Sequence, residues 1–537
     1  MNFSNLQVIF TTSLLLLNAC SEKAATVDVA ADTAELADVA VDAAPAPGPP
    51  TPAARGWAKK RTIVHVHSAY SHDACDGEIT KTGKANPVCL QQLRDALCAS
   101  GLDVAFMTDH PAHMKEYTFA ELLQVDLKQG DSPVGNPPVA NILHCKALPE
   151  MPAHDVVMTV GYEGTHNMPV GLASHFTQIQ YEGTSIADAT TLSEARASID
   201  NAHAVGGLCV NAHSEEDDIS VQRLVDVGVD AMEIYNTHAN FKTIVGFSAK
   251  GAKGDISRVF DLDAFVGPAD KAPESDLVLL IMLDLQPEAA FRKWQQVLAQ
   301  RHVTGVVGSD VHQNVVLDGL CTPGGQIEGL CDGLEGEYPD LVKMLRKGGP
   351  VILGDGQRID DYRRVLRWVS NHVWLPAETA PEHMVEAMKI ALKQGRSWAV
   401  YDVLGWPKDL DFVAENAGKW IDMGGETPIG SSLWLRTPAE VQPTPWAKWT
   451  AADTQKAGNE PQVQTLVWRI AQGADKAELV KTVDGFGQLV EIKAALPGQY
   501  HAEVRLKPRH LRTLLKGIGG RSDAQERWAV GNPILVK

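Results

Sequence analysis

The sequence predicts an α/β fold of alternating strands and helices, followed by a small all-β domain. As far as residue 400, short apolar runs alternate with helical patterns, which is typical of βα units with a parallel sheet. From residue 407 onwards, short runs of alternating polarity are separated by Pro, Gly and Asp, and this pattern indicates a β-sandwich. Several predicted strands end in polar or metal-ligating residues, so we expect their ends to build one site.

Composition and charge narrow the class of partner. The chain has 537 residues, of which 44% are hydrophobic, and a formal net charge of −19. This length fits two or three domains. The acidic balance disfavours a nucleic-acid partner, because a nucleic-acid surface needs clustered Lys and Arg. A small phosphorylated substrate is compatible with it, since bound metal ions would dominate the local field.

The first 56 residues predict export and a membrane anchor. Residues 1–20 contain an apolar core, Val8–Leu17, which has the length of a signal segment and is too short to span a membrane. The following Leu17–Cys20 resembles a bacterial lipobox and implies a lipid on Cys20; a soluble protein with an apolar tail is the alternative. Residues 21–56 are rich in Ala, Asp and Pro and predict a disordered tether. We therefore expect a lipid-anchored protein of the cell envelope, either periplasmic or at the outer membrane.

The remaining cysteines fit an oxidising compartment. Cys209 lies in an apolar run and is expected to be buried and free. Six others allow fifteen pairings, and the sequence does not choose among them. Cys321 and Cys331 flank a glycine-rich loop and are the first expectation for a pair; free thiols are the alternative. The six are Cys75, Cys89, Cys98, Cys145, Cys321 and Cys331.

A histidine pair follows the first predicted strand. The apolar run Thr62–Val64 leads into His65 and His67, whose i, i+2 spacing on a strand places both side chains on one face. The turn that follows carries His72, Asp73 and Asp76. Two imidazoles followed by a carboxylate can begin a metal site. In isolation, such a pair is more often two half-buried strand histidines, but the rest of the chain repeats the arrangement.

Ligand-type side chains recur where later predicted strands end. These strands are residues 102–107, 156–162, 208–211, 231–235 and 303–307. The residues that follow them are Asp109 and His110, Glu163, His213, Asn236 and His238, and Asp310 and His312. In a closed parallel barrel the carboxyl ends of the strands converge on one face. The pattern therefore predicts one polynuclear metal site, and its mixed imidazole and carboxylate donors suit Zn, Mn or Fe rather than Ca.

The other predicted elements surround this site. Helices are expected at residues 89–100, 193–205, 221–227, 287–300, 355–373 and 381–394, and a long loop from residue 110 to about 155. Gly101 ends the first helix. The segment 355–373 would be capped by Asp360 or Asp361. Its arginines are candidates for a phosphate contact, although a solvated basic face is the commoner role for any one of them. They are Arg358, Arg363, Arg364 and Arg367.

The segments between about residues 61 and 406 resemble the PHP family, named for polymerase and histidinol phosphatase. The matching pieces occur in the family's order. They are His65–Ser68 with Ser71 and Asp73, Thr108–His110, Gly161–Glu163, Asn211–His213, Glu233–Asn236 and Gly308–His312. The resemblance implies an irregular (β/α)7 barrel around two or three divalent metal ions. It also implies hydrolysis of phosphoesters, which most characterised members catalyse.

The resemblance also implies a set of ligands. One ion would be held by His65, His67, Glu163 and Asp310, and a second by Asp73, His110 and His312. Glu163 would bridge to a third ion, together with His175 and His213. His72 competes with Asp73 for its role, and His166 competes with His175. His238 is expected to contact substrate, Asp109 to orient a histidine, and either His175 or His238 to protonate the leaving oxygen.

We therefore expect a metallohydrolase domain over residues 57–406 and a β-sandwich over residues 407–537. The expected reaction is hydrolysis of a phosphoester bond through a metal-activated water. Fold and metal site do not determine the substrate, so a metallohydrolase acting on another bond is the first alternative. A non-catalytic binding protein on the same scaffold is the second.

Overall fold

The computed structural model describes residues 48–175, 186–187, 189, 191–240, 260–282, 288–316, 321, 328–493 and 495–537. The predicted signal segment with Cys20 lies outside the described residues, and so do residues 21–47 of the predicted tether. Residues 48–537 belong to one compact unit. In the described part of the chain, every helix is too short or too polar to traverse a lipid bilayer.

The described strands are numbered in chain order. They are β1 (Trp57–Val66), β2 (Val104–Met107), β3 (Ser132–Val134), β4 (Ala140–Cys145), β5 (His154–Val160), β6 (Met168–Val170), β7 (Leu208–Asn211), β8 (Ala231–Asn236), β9 (Thr304–Val311), β10 (Ser370–Pro376), β11 (Ser397–Val400), β12 (Trp406–Pro407), β13 (Asp411–Asn416), β14 (Lys419–Asp422), β15 (Glu426–Thr427), β16 (Ser432–Arg436), β17 (Val441–Gln442), β18 (Gln462–Ile470), β19 (Glu478–Asp484), β20 (Leu489–Ile492), β21 (Gly498–Lys507), β22 (Glu526–Gly531) and β23 (Ile534–Val536).

The described α-helices are numbered in the same way. They are α1 (Glu78–Thr82), α2 (Pro87–Ser100), α3 (Pro111–Met114), α4 (Phe119–Leu122), α5 (Leu192–Ala204), α6 (Val221–Val227), α7 (Leu262–Val266), α8 (Leu279–Met282), α9 (Glu288–Leu298), α10 (Glu328–Leu334), α11 (Pro339–Lys347), α12 (Tyr362–Val365) and α13 (Met384–Gln394).

Six strands form a parallel sheet in the order β5-β2-β1-β9-β8-β7. Strand β6 adds to β7 in antiparallel orientation. The backbone N–H of Leu172, after β6, donates to the carbonyl of Val160 at the end of β5. Parallel order and intervening helices agree with the α/β class predicted from the sequence. Closure into a (β/α)7 barrel stays a prediction.

Local sequence explains the better-predicted elements. Helix α2 begins at Pro87, and the Asn86 side chain accepts from two backbone N–H groups at this end. Gly101 ends the helix with a left-handed φ of 64°. Strands β2 and β7 are buried along their whole length, as expected for parallel strands that are covered on both faces.

Two sequence predictions were wrong. The expected loop 110–155 contains α3, α4 and the antiparallel pair β3–β4, and β4 also pairs with β5. The expected helix 355–373 is helical only over α12, where the Asp361 side chain caps the backbone N–H of Arg363. Residues from Ser370 onwards form β10 instead, because β1 and β11 offer backbone partners on both of its edges.

The chain after residue 406 is all-β apart from short 3-10 turns in the described residues. One antiparallel sheet has the order β14-β13-β16-β20. Another set of antiparallel strands runs β19-β18-β21-β22, and β22 also pairs with β11. Hydrogen bonding of strands therefore crosses the predicted boundary at residue 406, and the division into two domains stays a prediction.

Three disulfides join cysteines within the described part of the chain. Cys321 pairs with Cys331, as expected from the sequence. The other two, which the sequence left open, join Cys75 to Cys89 and Cys98 to Cys145. Cys209 is free and buried, also as expected.

Candidate metal centre

At the end of β1 the backbone is irregular, and this irregularity brings the side chains of His65 and His67 close together. His65 has a left-handed φ of 64°, and the pairing register with β2 shifts between Ile63 and Val66. The two imidazole rings of His65 and His67 lie 5.2 Å apart. Regular strand alternation, which the sequence interpretation assumed, therefore does not describe this turn. A bulge re-aims a side chain in this way near many active sites.

Two buried carboxylates face both histidines. Glu163 Oε2 lies 3.1 Å from His65 Nε2 and 3.2 Å from His67 Nε2. Asp310 Oδ1 lies 3.3 Å and 3.4 Å from the same two nitrogens. The four side chains are at most 4% exposed. One ligand atom from each lies within 4.8 Å of all the others, so these residues could hold a metal ion.

A second group of ligand atoms overlaps the first. It consists of His67, Asp73, His110 and His312, again within 4.8 Å of one another. Asp73 Oδ2 lies 3.3 Å from His312 Nε2 and 3.6 Å from His110 Nε2. The His67 and His312 rings are stacked at 3.8 Å. His67 belongs to both groups, so two metal ions bound there would be neighbours.

His213 joins the cluster from the end of β7. Its Nε2 lies 2.9 Å from Glu163 Oε1 and 3.7 Å from Asp310 Oδ2. Its Nδ1 lies 3.2 Å from Glu215. Glu163 therefore faces His65 and His67 with one oxygen and His213 with the other, which is the position a bridging carboxylate needs.

The donor atoms fit a cation. Several buried polar atoms point into the cluster without a hydrogen-bond partner in the described chain. They are Nε2 of His65, His67 and His312, Oε2 of Glu163, and both carboxylate oxygens of Asp310. Such orphaned atoms are costly in a folded protein. Carboxylate oxygens and imidazole lone pairs repel one another unless a proton or a metal ion lies between them, so this donor set suits divalent cations.

The pKa shifts of the clustered side chains also indicate that positive charge is favoured at this site. Burial opposes ionisation of His65, but Asp310, Glu233 and Glu163 raise its pKa well above the usual value. Burial also opposes the charge on Glu163, yet His65 and His213 hold its pKa well below normal. For Asp310, His65 and His312 outweigh burial and lower the pKa. The carboxylates thus stay ionised, and their negative charge favours a cation at the cluster.

Glu233 was not predicted as a site residue. It is fully buried on β8, and its Oε1 accepts a hydrogen bond of 2.7 Å from His65 Nδ1. Its Oε2 accepts from the backbone N–H of His213 at 2.9 Å. A carboxylate that accepts from one ring nitrogen of a histidine fixes the orientation of the ring and keeps the proton on that nitrogen. The lone pair of the other nitrogen, here Nε2, is then available to a metal ion. The signal was present in the Glu233–Asn236 motif, but strand spacing alone did not reveal what Glu233 contacts.

The backbone is strained at three residues of the cluster. His65, His213 and Asp310 have φ values of 64°, 52° and 51°, a left-handed conformation that is unfavourable for residues other than glycine. Gly308 allows the close approach of Glu233, because a Cβ there would lie 1.9 Å from Glu233 Oε1. Strain of this kind is concentrated at functional sites and is maintained by the surrounding packing.

The remaining predicted residues are placed as follows. His238 lies beside the cluster, with its ring 5.1 Å from that of His312. His175 Nε2 lies 2.7 Å from the Tyr117 carbonyl, and His175 is not part of the close ligand groups in the described residues. Asp109 accepts from the backbone N–H and the hydroxyl of Ser68. Asp109 therefore holds the turn after His67, and its expected role of orienting a histidine stays a prediction.

The two competing histidines also have defined positions. His72 is about half exposed, and its Nδ1 lies 3.9 Å from Asp73. Asp73, not His72, supplies the ligand atom in the second group. His166 is buried and lies 2.9 Å from Asp218. It forms a separate close group with Glu216 and Asp218.

The arginines after β9 are engaged by carboxylates of the protein. Arg358 binds Asp76 and Asp360, while Arg364 binds Asp276 and Asp355. Arg363 and Arg367 both contact Glu150. These contacts favour a structural role for each arginine over a phosphate contact.

No protein-family model matches the chain, and no curated protein matches it. Among solved structures, the chain is similar to a two-domain protein from Bacteroides vulgatus that contains a predicted PHP-like metal-dependent phosphoesterase. The identity is 11%, the match covers 83% of this chain and 91% of that chain, and the TM-score is 0.29. A TM-score this low supports no argument about fold or function.

Proposed function

We propose that the protein is a metal-dependent hydrolase of phosphoester bonds. The supporting observation is the overlap of two ligand groups at His67, with buried donor atoms that lack other partners. The motifs that resemble the PHP family supply the reaction class. A small phosphorylated substrate suits a centre in which neighbouring cations can neutralise an anion.

The proposed ligand set follows the two groups. One ion would be held by His65, His67, Glu163 and Asp310, and a second by Asp73, His110 and His312. Glu163 and His213 would contribute to a third. Zn, Mn and Fe are the metals that suit these donors. When bound, the ions supply positive charge for the phosphate and acidify a water molecule.

Residues near the proposed ions would orient a metal ligand and protonate the leaving oxygen of the substrate. Glu233 holds the proton on His65 Nδ1, so that Nε2 faces the cluster. His238 is half-buried and lines a cavity together with Asp310 and His312. We assign it the transfer of a proton to the leaving oxygen of the substrate. His175 is less suited, because its Nε2 already contacts the Tyr117 carbonyl.

Metal analysis and hydrolysis of p-nitrophenyl phosphate and its bis ester test the proposal on the full chain. We expect about two or three equivalents of metal and turnover of at least one ester. Asp310→Asn should lower activity by about 100-fold or more, since it removes a charge that holds a cation. His144→Gln is the matched control, because His144 is an exposed histidine paired with Asp155 outside the cluster.

The two alternatives give different results. Metal binding without turnover of either ester would contradict a phosphoesterase and favour hydrolysis of another bond. A folded protein that binds no metal would contradict both hydrolase hypotheses, hydrolysis of a phosphoester and hydrolysis of another bond.

The membrane anchor belongs to the same proposal. A lipid on Cys20 would place the hydrolase at the cell envelope. Labelling cells with a radioactive fatty acid should mark the wild-type protein and not Cys20→Ser. An unlabelled wild-type band would contradict the anchor without affecting the metal centre.

A further inference from the structure

A cavity of ≈ 630 Å³ lies at the start of β1. Its volume falls within the range of small-molecule sites, about 300–1,000 Å³. The strand enters at Trp57 and Lys59, which line the cavity, and ends beside His65. Six residues of strand separate Lys59 from His65, or about 20 Å. The cavity is therefore distinct from the candidate metal centre.

The floor of the cavity is one face of the antiparallel strands β1, β10 and β11. Lys59 lies opposite Trp374 across β1 and β10, and His372 lies opposite Trp398 across β10 and β11. Side chains two residues apart share a face, so Trp57 joins Lys59. Three indoles, an ammonium and an imidazole thus lie on one sheet face, which the described residues leave open as a cavity.

The rest of the lining comes from residues 51–53, 377, 407–410 and 442 and mixes apolar with polar side chains. Its polar members include Thr51 and Gln442, which donate and accept hydrogen bonds, and Asp409, whose carboxylate only accepts them. Pockets for small molecules combine apolar and aromatic walls with a few placed polar groups. A wholly aromatic ligand would leave these polar groups unmatched. A sugar ring matches this mixed lining, because its C–H face packs on an indole and its hydroxyl groups donate and accept hydrogen bonds.

The charge of the ligand is indicated by Lys59. Its ammonium lies 5.3 Å from the centre of the Trp406 ring, and within the described chain it has neither an ion pair nor a hydrogen bond. Its neighbours differ: Lys60 binds Asp103 at 2.9 Å, and Lys408 binds Glu440 at 2.9 Å. Lys59 is therefore available to pair with a carboxylate of a ligand.

We propose that this cavity binds an acidic saccharide. The sugar ring packs on the indole of Trp374, which is half-buried, and its carboxylate pairs with Lys59. Arg396 lies 4.5 Å from the centre of the Trp57 ring and holds that ring in place. This site does not depend on the proposed hydrolase activity.

Calorimetric titration of the full chain with galacturonate, galactose and benzoate tests the proposal. We expect saturable binding of galacturonate, accompanied by a change in tryptophan fluorescence, and weaker binding of galactose. Lys59→Gln should weaken galacturonate binding about fivefold and abolish the preference over galactose. Trp374→Ala should weaken both sugars about tenfold or more.

Lys60→Gln and Trp420→Ala are the matched controls. Lys60 is adjacent to Lys59 but on the other face of β1 and paired with Asp103, and Trp420 lies in β14 and is not one of the residues that line the cavity. Both should bind galacturonate as the wild type does. Absence of galacturonate binding to the wild type at millimolar concentration overturns the proposal, and this measurement needs no variant. Equal binding of benzoate, or of galactose, overturns the assignment to an acidic saccharide.

Discussion

Replacing Glu233 by Gln tests the carboxylate that orients His65. Glu233 accepts from His65 Nδ1 at 2.7 Å, from the His213 backbone N–H at 2.9 Å and from Asn236 Nδ2 at 3.2 Å. Both carboxylate oxygens therefore face donors. A glutamine has one oxygen and one NH₂ group, so either end it presents places a donor against a donor.

The magnitude follows from this mismatch. One buried donor without an acceptor costs about 1–3 kcal/mol of stability. The loss of the negative charge also weakens His65 as a ligand, and changes at such positions lower metal affinity about 10–100-fold. That factor corresponds to about 1.4–2.7 kcal/mol of binding free energy.

Two measurements separate these effects. Thermal unfolding in excess chelator reports the stability of the metal-free chain, and competition with a chromogenic chelator reports metal affinity. Glu440→Gln is the matched control, since Glu440 is an exposed partner of Lys408 and its loss should cost less than about 0.5 kcal/mol. If Glu233→Gln keeps wild-type metal affinity, Glu233 does not act through a ligand and our reasoning about His65 is refuted.

Three further predictions concern stability. Burial lowers the pKa of three histidines outside the cluster to about 4; they are His372, His501 and His510. The unfolded chain binds these protons near pH 6.5, so stability should fall between pH 6.5 and 4, by up to about 3 kcal/mol for each histidine. Removing Cys98 and Cys145 together, which close 47 residues, should cost about 4 kcal/mol in urea unfolding. Gly308→Ala should displace the Glu233 carboxylate, costing about 1–3 kcal/mol and lowering metal affinity.

Each of these predictions has a comparison variant. His501→Gln should flatten the pH dependence of thermal unfolding, whereas His144→Gln, at an exposed position, should leave it unchanged. Removal of Cys321 and Cys331, which close only 10 residues, should cost about 3 kcal/mol; an equal or larger loss would contradict the loop-closure argument. Gly305→Ala should be milder for the metal centre, because its Cβ would approach Trp294 and Ile234 at 3.0 Å and no ligand.

Elements with strong local signals were predicted well. Strand β7 and helix α6 have the bounds expected from the sequence, since each combines an apolar pattern with clear ends. Gly228 ends α6 with a φ of 77°, and glycine is favoured at that position because it has no Cβ. Local sequence can encode such features because the interactions that decide them lie within a few residues.

The segment that becomes β10 shows the limit of local patterns. Its apolar spacing continued a helical pattern from residue 355, but the pairing of Arg61 with His372 joins residues about 300 positions apart. A helix would leave the edges of β1 and β11 without these partners. Hydrogen bonds between distant strands outweighed local propensity here, and propensity alone is a weak guide.

The sequence by itself determined which chemical groups stand at the strand ends, because residue type and strand pattern are both local. It did not determine that Glu233 lies beneath His65, that Asp73 rather than His72 faces His312, or that Lys59 is left without an ion-pair partner in the described chain. Those outcomes depend on left-handed turns and on contacts between residues far apart in the chain. Only tertiary packing decides them, because each is a competition between neighbours that the fold alone brings together.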